Sequence, residues 1–136
     1  MTLTTRPFRE EDLVQVNEIE SASFPDPWPK SFFTYTQRKS PDLFLVADEE
    51  GKITGYIIGE IREIMFSGVP HRFKVGHILN IAVDTRQRRG GVGTLLMEEI
   101  ERRFRERNAT KATLEVRETN TSARAFYRHL GYAEIG

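Results

Sequence analysis

The sequence contains no cysteine. That removes disulfides, thiolate metal sites and a cysteine nucleophile together. Histidine is scarce, and His71, His77 and His129 stand at no metal-ligand spacing, so no metal is expected. Net charge is also missing. Lys+Arg and Asp+Glu each number 20, which leaves no bulk attraction for nucleic acid, and no nucleic-acid partner is expected. No apolar run approaches the ~20 residues of a membrane span. The opening "MTLTTRPFREED" has no signal-peptide core. The expected location is cytoplasmic, with no membrane partner.

What is present suits one domain over residues 1–136, with 38% apolar and 29% charged residues. "TLTTRPF" reads as a first strand. Arg9–Ser23 reads as a helix, with Leu13, Val16, Ile19 and Glu20 at helical spacing and Glu10, Glu11 and Asp12 in its first turn. "FPDPWP", Phe24–Pro29, is a rigid turn, since proline fixes the backbone and donates no hydrogen bond. A short helix follows over Lys30–Arg38, ended before Pro41. Leu43–Ala47 and Ile53–Ile64 form a strand pair around "DEEGK". Lys74–Val83 is a strand whose apolar second half predicts burial on both faces. A helix over Gly91–Arg107 carries the stripe Val92, Leu95, Leu96, Ile100 and Phe104, with acids preceding bases along it. Lys111–Arg117 is a strand, "NTSARAFYRHL" a helix closed by Gly131, and "YAEI" the start of a last strand. The order βααβββαβαβ predicts a mixed α/β sheet. Antiparallel hairpins come first, then a strand–helix–strand unit that should be a right-handed parallel crossover.

The stretch "RQRRGGVGTLL" joins that crossover's first strand to its helix. Helix N-terminal N–H groups lack intrahelical partners, and glycines at Gly90, Gly91 and Gly93 let an anion approach them. Arg88 and Arg89 can add charge-assisted bonds. The turn reads equally as a phosphate cradle or a solvated helix start. It is not a Walker A loop, because no lysine precedes Thr94. A dinucleotide fingerprint would need a small residue where Leu96 stands and a position early in the chain.

Arg88-Arg89-Gly90-Gly91-Val92-Gly93 matches the R/Q-x-x-G-x-G/A signature of the GCN5-related N-acetyltransferases (GNAT). "NIAVDTRQRRGGVGTLLMEEI" resembles the coenzyme-binding strand, loop and helix of that family. "LEVRETNTSARAFYRHLGY" and "SFPDPWPKSFF" resemble the following segment and the proline-aromatic loop of its RimI and Ard1 branches, which acetylate protein N-termini. The resemblance covers nearly the whole chain in order. It implies the acyl-CoA N-acyltransferase fold: a mostly antiparallel sheet with a central, splayed parallel strand pair.

It also implies acetyl-CoA as cosubstrate. The pyrophosphate would sit on the turn of Arg88, Arg89, Gly90, Gly91, Val92, Gly93 and Thr94. The pantetheine arm would run along Asn80, Ile81, Ala82 and Val83, with Asn120 and Tyr127 also in reach of the cofactor. Glu115 stands where RimI has its general base. In a strand over Lys111–Arg117, Thr113, Glu115 and Arg117 share one face, and a mid-strand carboxylate among apolar neighbours should be desolvated. The alternative is an exposed acid paired with Arg117 or a lysine. A terminal amine, with a pKa near ~8, needs only a modest base. Tyr127 stands where the family has its general acid, or is a core aromatic. Asn120 doubles as a helix N-cap.

For the acceptor, Phe24, Asp26 and Trp28 are the substrate-binding candidates. Asp26 reads alternatively as an Asx turn, and the two aromatics as caps on the first helix pair. His77 stands where the Ard1 branch has a histidine that could relay a proton, and a satisfied strand histidine is the alternative. Family members continue past "GY" with another strand. Here the chain stops at Gly136, so that strand is expected to be shortened or missing. The expected function is N-alpha-acetylation of protein or peptide N-termini, ribosomal or general, by direct transfer in a monomer or weak homodimer. The alternatives are acetylation of a small-molecule amine and a non-catalytic acyl-CoA-binding module.

Overall fold

A computed structural model describes residues 2–65, 67–87 and 91–135. The elements, in chain order, are β1 (Leu3–Pro7), α1 (Leu13–Ser23), α2 (Lys30–Lys39), β2 (Phe44–Glu49), β3 (Lys52–Met65), β4 (Arg72–Val83), α3 (Val92–Glu106), β5 (Lys111–Leu114) and α4 (Thr121–His129). The five strands form one sheet in the order β1-β2-β3-β4-β5. Its pairs are antiparallel except β4–β5, which is parallel.

The sheet is buried on both faces, as the apolar run of β4 predicts. Alternation along β2 sends Phe44 and Val46 toward α1 and α2, where they meet Phe8, Val16, Ile19 and Phe33. Leu45 and Ala47 go the other way, toward Val92, Leu96, Met97, Ile100 and Phe104 of α3. Met97 takes the inward place assigned from the sequence to Leu95, which is only partly buried. Burying five such side chains on α3 stabilises its docking by ~1.5–3 kcal/mol each before entropy is counted.

One contact sets how closely α3 lies on the sheet. A Cβ on Gly76 would come 2.2 Å from Cδ2 of Phe104, and one on Gly59 would come 2.7 Å from its Cζ. The two glycines form a hollow in which the Phe104 ring sits. Both belong to the paired stretch of β3 and β4.

Three sequence expectations are corrected. The first helix is α-helical from Leu13; Glu10–Asp12 form a single 3-10 turn, because the Asp12 carboxylate accepts the Arg9 N–H at 2.8 Å and grips Arg6. Strand β5 stops at Leu114, three residues short of Arg117, because its pairing with β4 stops there. "YAEI", residues 132–135, forms no strand, since the last turn of α4 folds back and Tyr132 N–H bonds the Tyr127 carbonyl at 3.0 Å. Gly131, with φ +97°, closes α4 as expected.

Candidate active site

Helix α3 begins at a glycine in the left-handed region. Gly91 is its N-cap with φ +77°, a conformation that costs most residues a steric penalty. The first helical bond runs from Leu95 N–H to the Gly91 carbonyl at 3.0 Å. The N–H groups of Val92, Gly93 and Thr94 therefore precede any intrahelical acceptor and face outward from the helix start. The Val92 side chain is buried in the core, so that residue offers only its backbone. At Gly93 a Cβ would come 3.2 Å from Cζ of Phe126, so the glycine lets α4 pack on the first turn of α3. Thr94 is partly buried. Arg88, Arg89 and Gly90 lie outside the described residues.

The strand leading into this turn has one open edge. β4 pairs with β5 from Val75–Lys111 to Ile78–Leu114 and no further. Beyond that point Asn80, Ile81, Ala82 and Val83 remain paired with β3, through Ile58, Ile57, Tyr56 and Gly55. Their other edge faces no strand among the described residues. The register with β3 shifts between Ile58 and Gly59, which places Leu79 in a bulge at the parting point. An extended, amide-bearing molecule could take hydrogen bonds from such an edge as an added strand would.

On the α1–α2 face of the sheet, Nδ1 of His77 lies 2.8 Å from Oγ1 of Thr113. His77 is 7% exposed. Burial lowers its pKa, Arg62 lowers it further, and Glu115 and Glu60 oppose them without reversing the direction. Glu115 follows β5 and is exposed, and it makes no ion pair or side-chain hydrogen bond with a described residue. The acid is therefore not buried mid-strand; it is exposed, as the alternative reading has it, but pairs with neither Arg117 nor a lysine among the described residues. The reason is the early end of β5, which leaves Glu115 just past the last residue paired with β4.

On the α3 face, Tyr127 packs against the core beside Phe126 and Tyr132. Burial pushes its hydroxyl up to about 12. Its neighbour Tyr132 donates to Glu101 at 2.7 Å, whereas the Tyr127 hydroxyl bonds no described residue. Asn120 caps α4, its Oδ1 accepting the Ala123 N–H at 3.2 Å.

The loop between α1 and α2 packs on the α1–α2 side of the sheet. Phe24 is partly buried against the core. Trp28 is 46% exposed and stacks on Phe32 of α2 at 4.2 Å between ring centroids. Asp26 is exposed and makes no Asx-turn hydrogen bond. Sequence reasoning missed what holds this loop. Glu20, on the inner stripe of α1, is completely buried and accepts the Trp28 N–H at 2.8 Å. It also accepts the Tyr56 hydroxyl and, at 2.7 Å, Nδ2 of Asn80. The signal was available: an acid at a core position of an amphipathic helix must find donors. Among the described residues no group of His, Asp and Glu is arranged to hold a metal. None of the described helices is long and apolar enough to cross a membrane.

This geometry agrees with the comparisons with known proteins. Residues 13–132 match the Acetyltransferase (GNAT) family. An N-alpha-acetyltransferase of Sulfurisphaera tokodaii is 34% identical over 128 residues, covering 91% of this chain and 76% of that one. Naa20 of Chaetomium thermophilum, solved with a bisubstrate analogue, superposes with a TM-score of 0.83 at 34% identity, over 96% of this chain and 70% of that one. Ard1 of Thermoplasma volcanium superposes with a TM-score of 0.86 at 30% identity, over 100% and 86% respectively. With its parted strands, its glycine-started helix and a match running through almost all its elements, the chain belongs to the GNAT family and is an acetyltransferase.

Proposed function

We propose that the protein is an acetyl-CoA-dependent N-alpha-acetyltransferase acting on the N-termini of proteins or peptides. The observation that carries the cofactor assignment is the open edge of Asn80–Val83 leading directly into the uncapped N–H groups of Val92, Gly93 and Thr94. One feature suits an extended pantetheine amide chain, and the other suits a pyrophosphate. Arg88, Arg89 and Gly90 complete the phosphate turn in this reading, and Asn120 adds a side-chain amide. Acetyl-CoA supplies an acyl group activated as a thioester. The peptide acceptor rests on the relatives, whose names specify N-alpha-acetylation, and on the Phe24–Pro29 loop with Asp26 and Trp28 exposed.

In this mechanism Glu115 takes a proton from the acceptor amine, directly or through a water. Exposed and unpaired just past the last β4–β5 pair, it is free to do so. His77, held by Thr113, relays the proton on the same face. Tyr127 stays protonated at neutral pH and can give its proton at the departing sulfur. With no cysteine in the chain, transfer passes directly to the amine. The test is release of CoA thiol with a panel of short peptides differing in their first two residues, with mass spectrometry locating the acetyl group. Acetylation of the α-amine is expected. Turnover of small amines alone, or acetyl-CoA binding without turnover, would overturn the reading.

A further inference from the structure

Glu20 has no part in the chemistry above, yet its carboxyl joins three elements. Oε2 accepts the Trp28 N–H of the α1–α2 loop. Oε1 accepts the Tyr56 hydroxyl of β3 and Nδ2 of Asn80 of β4, and Asn80 also donates to the Tyr56 oxygen at 3.3 Å. All three partners are neutral donors. No Lys or Arg among the described residues forms an ion pair with Glu20.

A carboxyl buried without a counter-ion is a costly way to fill a core position. A leucine on the same stripe, beside Val16 and Ile19, would be cheaper for stability alone. Its placement suggests another use. Asn80 lies next to the bulge where β4 leaves β5, on the strand edge assigned to the cofactor. Trp28 lies in the loop assigned to the acceptor. Pro25, Pro27 and Pro29 stiffen that loop, so fixing one N–H within it fixes the whole segment.

We propose that Glu20 is a positioning residue for the acceptor: it locks the Phe24–Pro29 loop to the cofactor strand, so that Asp26 and Trp28 meet the first residues of a peptide in one register. This rests on the acceptor role given to the loop above. Glu20→Gln is the sharp test, because an amide cannot offer two acceptor oxygens. If its oxygen faces Trp28, its NH2 group faces the Asn80 amide; if reversed, it opposes the Trp28 N–H, which cannot turn.

Trp28 is the single tryptophan, so its emission reports the loop directly. In Glu20→Gln, acrylamide quenching of Trp28 should rise with far-UV circular dichroism unchanged. KM for an accepted peptide should rise about tenfold. KM for acetyl-CoA should rise less than KM for the peptide, because the Asn80 backbone stays paired with Ile58 whatever its side chain meets, a split that general loosening of the fold would not produce. A folded Glu20→Gln protein with unchanged quenching and unchanged peptide KM overturns the proposal. Should that variant fail to fold, Tyr56→Phe decides. It removes one donor and should raise peptide KM about threefold with acetyl-CoA KM constant, and an unchanged peptide KM again overturns the proposal. If the natural sequence acetylates no peptide, the functional reading has failed, and the Trp28 quenching comparison still decides whether Glu20 holds the loop.

Discussion

Oγ1 of Thr113 and Nδ1 of His77 meet at 2.8 Å across the parallel pair, one residue before β4 and β5 part. The contact ties the two strands together on the α1–α2 face at the point where they part. It also places a titratable group there. Burial and the nearby Arg62 both disfavour the charged imidazole.

Arg62→Ala should therefore move the His77 titration midpoint upward, toward the ordinary value of 6.5, as followed by imidazole NMR. A midpoint that stays put would refute the role given to Arg62. The linkage has a definite sign. A histidine with a lowered folded pKa contributes stability that is complete above the unfolded value and is lost as pH falls through the folded one. The melting temperature should decline below about pH 6.5, and less so in His77→Asn.

Asp12→Asn should destabilise the fold by about 3 kcal/mol, measured by urea unfolding. The Asp12 carboxylate is buried and bidentate on Arg6, at 2.7 and 2.9 Å, while Arg6 also holds Asp48 at 3.0 Å. Burial works against its charge, but the bonds from Arg6 and the Arg9 backbone prevail and keep its pKa below the ordinary 3.8. That contribution is present above the unfolded pKa and lost as pH falls through the folded one. The variant should thus lose part of the acid sensitivity of the natural sequence.

Glu115→Gln should lower kcat about a hundredfold with little change in acetyl-CoA affinity. Retention of full kcat would remove Glu115 from the mechanism. Tyr127→Phe should also lower kcat.

The raised Tyr127 pKa has its own consequence for stability. The neutral hydroxyl is favoured in the folded state, so stability declines as pH rises from the unfolded value of 10 toward about 12. Alkaline unfolding scans of Tyr127→Phe should show a shallower decline.

Gly76→Ala should cost at least ~2 kcal/mol, because its Cβ would overlap the Phe104 ring. Adding Phe104→Leu should restore part of that loss. Equal stability of Gly76→Ala and the natural sequence in thermal unfolding would show that the hollow is not tight.

Much of this arrangement is legible in the sequence. The apolar run of β4, the stripe of α3 and the glycine turn between them all follow from local pattern, because periodicity and backbone freedom are local properties. The end of β5 was not legible. Residues 115–117 continue the alternation of Lys111–Leu114, and where a parallel pair stops depends on the bulge at Leu79 in a distant segment. The alternation alone therefore puts Glu115 in a strand that ends before it. Glu20 was recognised on the inner face of α1, but its donors come from residues 28, 56 and 80, and no spacing rule connects them.

The hollow under Phe104 also gives α3 a direction. The helix is a rod of 15 residues, ~22 Å long, seated at one end by Val92 over Gly55 and at the other by Phe104 in Gly59 and Gly76. A rod seated at two points cannot pivot. Lifting the Phe104 end by about 1 Å would tilt it by about 3° and re-aim the N–H groups at the opposite end. The bearing of the α3 N-terminus is thus set partly by two missing side chains under the opposite end of the helix.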